Sequence, residues 1–201
     1  MFGLLSAILV VQRSLGVFDA HADVGRVRHG GSVLYDPARQ EYVIGGSGQN
    51  MWGDHDDFQF VWKRISGNFT LSTRARFIGP GVEAHRKIGW TIRPTLEPNS
   101  VHVTAALHGN GLMSLQFRRS VGGDTEEEKS RDSLPDPDVV IQLERKNGVY
   151  IMSVGRFGDT LVSQELTGVS LPDTVYVGLF VCAHNDSVVE RARFSHVRIT
   201  R

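Results

Sequence analysis

Apolar and polar residues alternate one for one along most of this chain, the period of a β-strand with one face buried. "DFQFVWKRI" sets Phe58, Phe60 and Trp62 on one side. "NFTLSTRARF" sets Phe69, Leu71, Thr73, Ala75 and Phe77 against Thr70, Ser72, Arg74 and Arg76. In "HRKIGWTIR", Ile88, Trp90 and Ile92 oppose Gly89, Thr91 and Arg93. "VHVTAALH" opposes Val101, Val103, Ala105 and Leu107 to His102, Thr104, Ala106 and His108. "GLMSLQFRR" opposes Met113, Leu115 and Phe117 to Ser114, Gln116 and Arg118. "VVIQLERK", "GVYIMSVGRF", "TVYVGLFVCAH" and "ARFSHVRIT" continue as strand-like runs, and "SGN", "GPG", "RPTLEPNS", "HGNG", "KNG" and "SLPD" between them carry turn chemistry. No capped helical pattern stands out beyond the N-terminal run. About ten or more short strands joined by polar turns predict an all-β, antiparallel β-sandwich or barrel.

The same alternation defines a candidate site. With the apolar sides turned to the core, three successive strands present Lys87, Thr91 and Arg93, then His102, Thr104 and His108, then Ser114, Gln116 and Arg118. These runs are close in sequence and form a meander if they pair in order, so the nine side chains line one hollow. His184, at the end of "LFVCAH", reaches its rim. Guanidinium forks, amide groups and ring nitrogens suit the hydroxyls, carboxylates or sulfates of a polar ligand. A wet sheet face without any ligand is the competing reading. Trp90 points with its isoleucine neighbours to the core. Trp52, in the turn "QNMWGD", is the better candidate for stacking on a sugar.

Composition narrows the function. The 201 residues carry 22 Lys plus Arg and 22 Asp plus Glu, a formal net charge of zero, against nucleic acid as a partner. The single cysteine, Cys182, allows neither an internal disulfide nor a cysteine-based zinc site, and its apolar setting reads as a buried small hydrophobe. Residues 1–17 hold the apolar run "FGLLSAILVV", too short to span a bilayer. It reads as an atypical or truncated export signal, or as a segment packed on the domain. Residues 18–201 are expected to form one domain, exported to the periplasm or the exterior. "SVGGDTEEEKSRDSLPDPD" is expected to be a long solvated loop or a lid. "GDHDDF" groups Asp54, His55, Asp56 and Asp57, either an Asp-rich turn bonding its own backbone or a structural calcium site. No phosphate loop or dinucleotide fingerprint is present, and no cofactor is expected.

"FDAHADVG…GSVLYDPARQEYVIGGSGQNMWGDHDDFQFVWKRISGNFTLSTRARF" contains in order a Gly-Ser-Gly turn, a Trp, an Asp-x-Phe and a Gly-Asn-Phe. It resembles bacterial modules of the concanavalin A-like lectin/glucanase superfamily. "HRKIGWTIR", "HGNGLMSLQFRR", "IQLERK" and "ERARFSHVRIT" look like a narrower group within it, the TolB-like or biopolymer-transport-related proteins, whose module sometimes sits beside a β-propeller. The resemblance covers residues 18–201 and implies a jelly-roll sandwich, commonly exported. No propeller repeat occurs here, so a transport role does not follow.

Glucanases of that superfamily place their carboxylates on one strand as Glu-x-Asp-x-x-Glu, and this chain has no such pattern. Glycoside hydrolysis needs two carboxylates facing the scissile bond, about 5 Å or roughly 6.5–9.5 Å apart. Glu126, Glu127 and Glu128 fall in the expected loop, and Glu144 is a lone acid within a strand. The expected function is therefore a non-catalytic module binding a carbohydrate or similar polar ligand on the concave sheet face. The alternatives are a saccharide-acting enzyme built on His102, His108, Glu144 and Arg118, or a structural domain that binds a protein partner.

Overall fold

The structure is a computed structural model and describes residues 14–129 and 138–201. It is an antiparallel β-sandwich, one of the two architectures the alternation predicts, and of the concanavalin A-like jelly-roll type that the resemblance implies. In chain order the first strands are β1 (Ala20–Val24), β2 (Ser32–Asp36), β3 (Glu41–Gly46), β4 (Met51–Trp52) and β5 (His55–Asp56). They are followed by β6 (Phe58–Ser66), β7 (Phe69–Ile78), β8 (Lys87–Arg93), β9 (His102–His108), β10 (Met113–Arg118) and β11 (Thr125–Lys129). The last are β12 (Val139–Lys146), β13 (Val149–Arg156), β14 (Val162–Leu166), β15 (Thr174–Cys182) and β16 (Glu190–Thr200). One sheet runs β1-β6-β15-β8-β9-β10-β11 and the other β14-β13-β12-β7-β16-β3-β2. The short β4 and β5 pair only with each other.

The apolar sides of the three meander strands face inward as expected, whereas β6 sends Val61 and Ile65 to the inter-sheet core and turns Phe58, Phe60 and Trp62 to the outer face. Ile88, Trp90 and Ile92, Val103, Ala105 and Leu107, and Met113, Leu115 and Phe117 share one apolar layer with Leu71, Ile141, Met152 and Phe194 of the other sheet. Dehydrating such a layer is the main driving force for folding, about 25 cal/mol per Å² of apolar surface buried. The meander is also present. Lys87 stands opposite His108 and Thr91 opposite Thr104, while Gln116 and Arg118 stand opposite Thr104 and His102.

Two features depart from expectation. "TEEEK" is not loop but the edge strand β11, with Gln116 opposite Glu127 and Arg118 opposite Thr125. Its alternation turns Thr125 and Glu127 inward relative to Glu126 and Glu128, and a strand of charges is how sheet edges avoid pairing with other chains. The rest of that acidic segment, through residue 137, lies outside the described residues. The second departure is cover. A wet face was one expectation for the first sheet, but β8, β9 and β10 are buried on both sides.

The cover is the β4–β5 hairpin together with the loop 94–100. The Asp56 amide donates to Pro98 O at 2.9 Å and the Thr125 amide to Gly53 O at 2.8 Å, tying hairpin, loop and edge strand together. Beneath it, the outer face divides into an apolar half and a polar half. Val24, Met51, Phe58, Phe60, Trp62, Ala106, Phe180 and Cys182 form a second apolar cluster there. Of the N-terminal run, residues 1–13 lie outside the described residues. The residues that follow are held by Tyr42, whose hydroxyl donates to Leu15 O at 3.0 Å and accepts from the Val17 amide at 2.9 Å. Among the described residues no helix is long and apolar enough to cross a membrane.

Candidate functional site

The polar half of the outer face has a sealed part and an open part. At the centre of the sealed part is Asp56, delivered by β5 and fully buried. Arg118 grips it with both arms of its guanidinium, Nη2 to Oδ1 at 2.8 Å and Nη1 to Oδ2 at 3.1 Å. Arg93 Nη2 lies 3.3 Å from Oδ2. Further arginine donors go to the covering backbone, Arg93 to Thr95 O and Glu97 O at 2.9 and 2.6 Å, Arg118 to Ser100 O and Gly53 O at 2.9 and 3.0 Å, while Arg93 Nη1 is buried without a protein partner. His102 and Thr104 (3.0 Å), then Thr104 and Thr91 (2.7 Å), complete the network.

Charge states follow from this packing. Burial works against the Asp56 carboxylate, yet the cations around it, His102 when protonated and the Arg93 and Arg118 guanidiniums, more than offset it and hold its pKa below the ordinary value. His102 is driven down to about 3 by burial, against the pull of Asp56 and with help from Arg118 and Arg93. At neutral pH the ring is therefore uncharged, and the guanidiniums hold the anion. Burial also lowers Arg93, to about 10, which leaves it a cation.

The open part is a cleft of about 270 Å³ beside the hairpin. Its floor is His108, Gln116 and Lys87; its walls include Trp52, His85 and His184, with Glu127 and Lys129 at the sheet edge. His108 Nε2 lies 3.1 Å from Ser114 Oγ and 3.4 Å from Gln116 Nε2. Both neighbours can donate to that nitrogen, which places the ring proton on Nδ1. His108 Nδ1 and Gln116 Oε1 are both buried and have no protein partner. Two residues in contact on the floor thus carry an unpaired donor and an unpaired acceptor. Lys87 donates from Nζ to Asn50 Oδ1. Burial depresses its pKa, and burial with the Lys87 charge brings His108 down to about 3.

Three histidine rings converge here, His85 lying 5.7 Å from both His108 and His184, centroid to centroid. His184 has a positive φ of 57°, uncommon for a residue with a side chain and often seen where strain serves a site. Trp52 is 41% exposed, which leaves ring surface free to stack. Cys182, opposite Lys87, is fully buried and pushed up to about 11 by desolvation, so it is a thiol rather than a nucleophile at neutral pH.

Of the ten residues the sequence singles out, Lys87, His108, Gln116 and His184 border the cleft. Thr91, Arg93, His102, Thr104, Ser114 and Arg118 share its sheet face but are buried, and each bonds protein groups, with Arg93 Nη1 left over. Alternation could not distinguish the two sets, because it reports the face and not what lies over it. His85, Asn50, Glu127 and Lys129 also border the cleft and were not predicted. The register of β11 supplies the signal for Glu127. Trp62 packs on Phe60 and Tyr176 rather than on open space.

The acids of "GDHDDF" do not form one cluster. Asp54 pairs with His55 at 2.7 Å, Asp56 with the arginines, and Asp57 with the Arg26 amide at 2.7 Å. Among the described residues no group of three His, Cys, Asp or Glu could hold a metal ion. The set His102, His108, Glu144 and Arg118 does not converge either. Glu144 is on β12 of the second sheet, while His102 and Arg118 are sealed.

No protein-family model and no curated protein sequence matches the chain. Solved structures do. A functionally unknown protein from Saccharomyces cerevisiae superposes with a TM-score of 0.67 at 14% identity, covering 84% of this chain and 91% of its own. The family 7 alginate lyase A1-II', in complex with product, gives 0.59 at 8% identity, with 84% of this chain and 82% of its own covered. The alginate lyase AlyC3 gives 0.55 at 10%, covering 90% and 89%. At such identities the likeness is one of fold, and the fold shared is the concanavalin A-like jelly roll.

Proposed function

We propose that the chain is a non-catalytic binding module for a carbohydrate, held in the cleft between Trp52 and the floor formed by His108 and Gln116. The observation that carries this is the pair of buried, unpartnered atoms, Nδ1 of His108 and Oε1 of Gln116. A sugar hydroxyl is both donor and acceptor, so the hydroxyls of one ring offer an acceptor for the ring N–H and a donor for the amide oxygen. Unpaired buried groups are costly, and a ligand that satisfies them regains that cost. The exposed face of Trp52 supplies the stacking surface that the apolar side of a pyranose needs. The six sealed residues are the scaffold that fixes the cover and hence the cleft wall.

The neighbours named alginate lyases lend the reading weight by fold alone. Kinship with the TolB-like bacterial modules and export from the cytoplasm rest on the resemblance and on the apolar N-terminal run. The test is a glycan array followed by calorimetry on the best binder. Saturable binding is expected, about tenfold weaker for both Trp52→Ala and Gln116→Ala, with no sugar released on prolonged incubation. Absence of any glycan ligand, or binding indifferent to both changes, refutes the reading. Turnover that vanishes in His108→Ala would make the cleft an active site instead.

A further inference from the structure

The face of the second sheet turned away from the core carries a separate depression of about 180 Å³, built on β7 and β16. Its lining includes three arginines, Arg74, Arg76 and Arg193. The register sets Arg193 directly opposite Arg76, and Ser195 opposite Arg74. Like charges in direct cross-strand opposition destabilise a sheet, so folding alone gives no reason for this pair.

Neighbouring acids do not resolve it. Asp138 takes Arg74 at 2.8 Å. Glu41 comes only within 3.7 Å of Arg193 Nη1, an ion pair too long for a hydrogen bond. Among the described residues Arg76 makes neither a hydrogen bond nor an ion pair. The Nε atoms of Arg74 and Arg193 are buried and unpartnered. Three guanidiniums thus face two carboxylates, with donors in excess. The β7–β16 ladder also breaks at this point: the register shifts between Ser195 and Arg198, and His196 takes a φ of 53°. Bulges re-aim side chains, and this one brings His196 to the rim.

We propose that this depression binds an oxyanion, a phosphate or sulfate group borne by a larger ligand. Guanidinium forks match the oxygens of such a group, and an anion between Arg76 and Arg193 turns their repulsion into two attractions. The site is on the sheet opposite the cleft, so its test is independent of the carbohydrate reading. The experiment titrates the full chain with inorganic sulfate and, separately, inorganic phosphate, at ionic strength held constant with chloride, and follows backbone amide resonances. Saturable shifts are expected at residues 74–76 and 193–196, with affinity about tenfold weaker in Arg76→Gln. Arg76→Lys, which keeps the charge and loses the fork, should weaken it less. Response to only one of the two anions assigns the source and supports the site. Equal titration of the parent and both variants, or no saturable shift with either anion, overturns it.

Discussion

Asp56 illustrates how one residue positions a wall of the cleft. Its carboxylate is a charge the covering hairpin lends to the sheet face below, and two guanidiniums from different strands converge on it. An ion cluster of this kind adds little net stability compared with apolar packing, because taking the charges out of water costs about as much as their attraction returns. Breaking it is another matter. Asp56→Ala leaves Arg93 and Arg118 buried and unopposed, and should cost about 3–5 kcal/mol, read as a fall in the urea midpoint. A loss below about 1 kcal/mol would mean that water enters and the network is not sealed. Arg118 should report the same event by a different route, since its donors also hold Gly53 O and Ser100 O of the cover.

At the scale of elements, β8 carries most of the information in the chain. Its apolar side faces the main core, its polar side reaches both the sealed network and the cleft, and Gly89 lies between Lys87 and Thr91. Gly89 has a φ of 150°, and a Cβ there would stand 2.0 Å from Ala105 O of β9 and 3.4 Å from the Phe180 ring. Gly89→Ala should therefore push β8 from β9, cost about 2 kcal/mol or more and speed hydrogen exchange at the β9 amides. A variant as stable as the parent would show that the two strands can separate without loss. The strands were legible in the sequence, and so was the phasing of β8, β9 and β10, because their outer face, though buried, is mostly polar and keeps the two-residue period; β6, apolar on both faces, gave no such signal. The cover was not. "GDHDDF" has no apolar period of its own, and Asp56 is buried because arginines distant in sequence receive it. β11 was missed because "TEEEK" lacks the apolar half of the alternation, being an edge strand with charge on both sides. The open and sealed parts of the site differ only by what that unread hairpin covers.

Across the whole molecule, the buried histidines set the response to acid. The chain has no net formal charge at neutral pH, so no strong self-repulsion masks the titration of individual groups. His102 and His108 are held near 3 in the folded protein, against an ordinary 6.5 once the chain unfolds. Between those values the unfolded chain binds protons that the folded one refuses. Stability is therefore complete above about pH 6.5 and falls as the pH drops toward 3, by about 1.4 kcal/mol per pH unit for each ring. Asp56, depressed below its ordinary 3.8, acts in the same direction but only at the acid end. Denaturant titrations at a series of pH values from 7.5 to 4.5 should show this loss, and His108→Gln should cut its slope by roughly half, leaving His102 with a smaller contribution from His184, also lowered by burial. A flat profile across that range would place both rings in contact with water. The sealed network would then be open, and with it the rigid wall that the cleft requires.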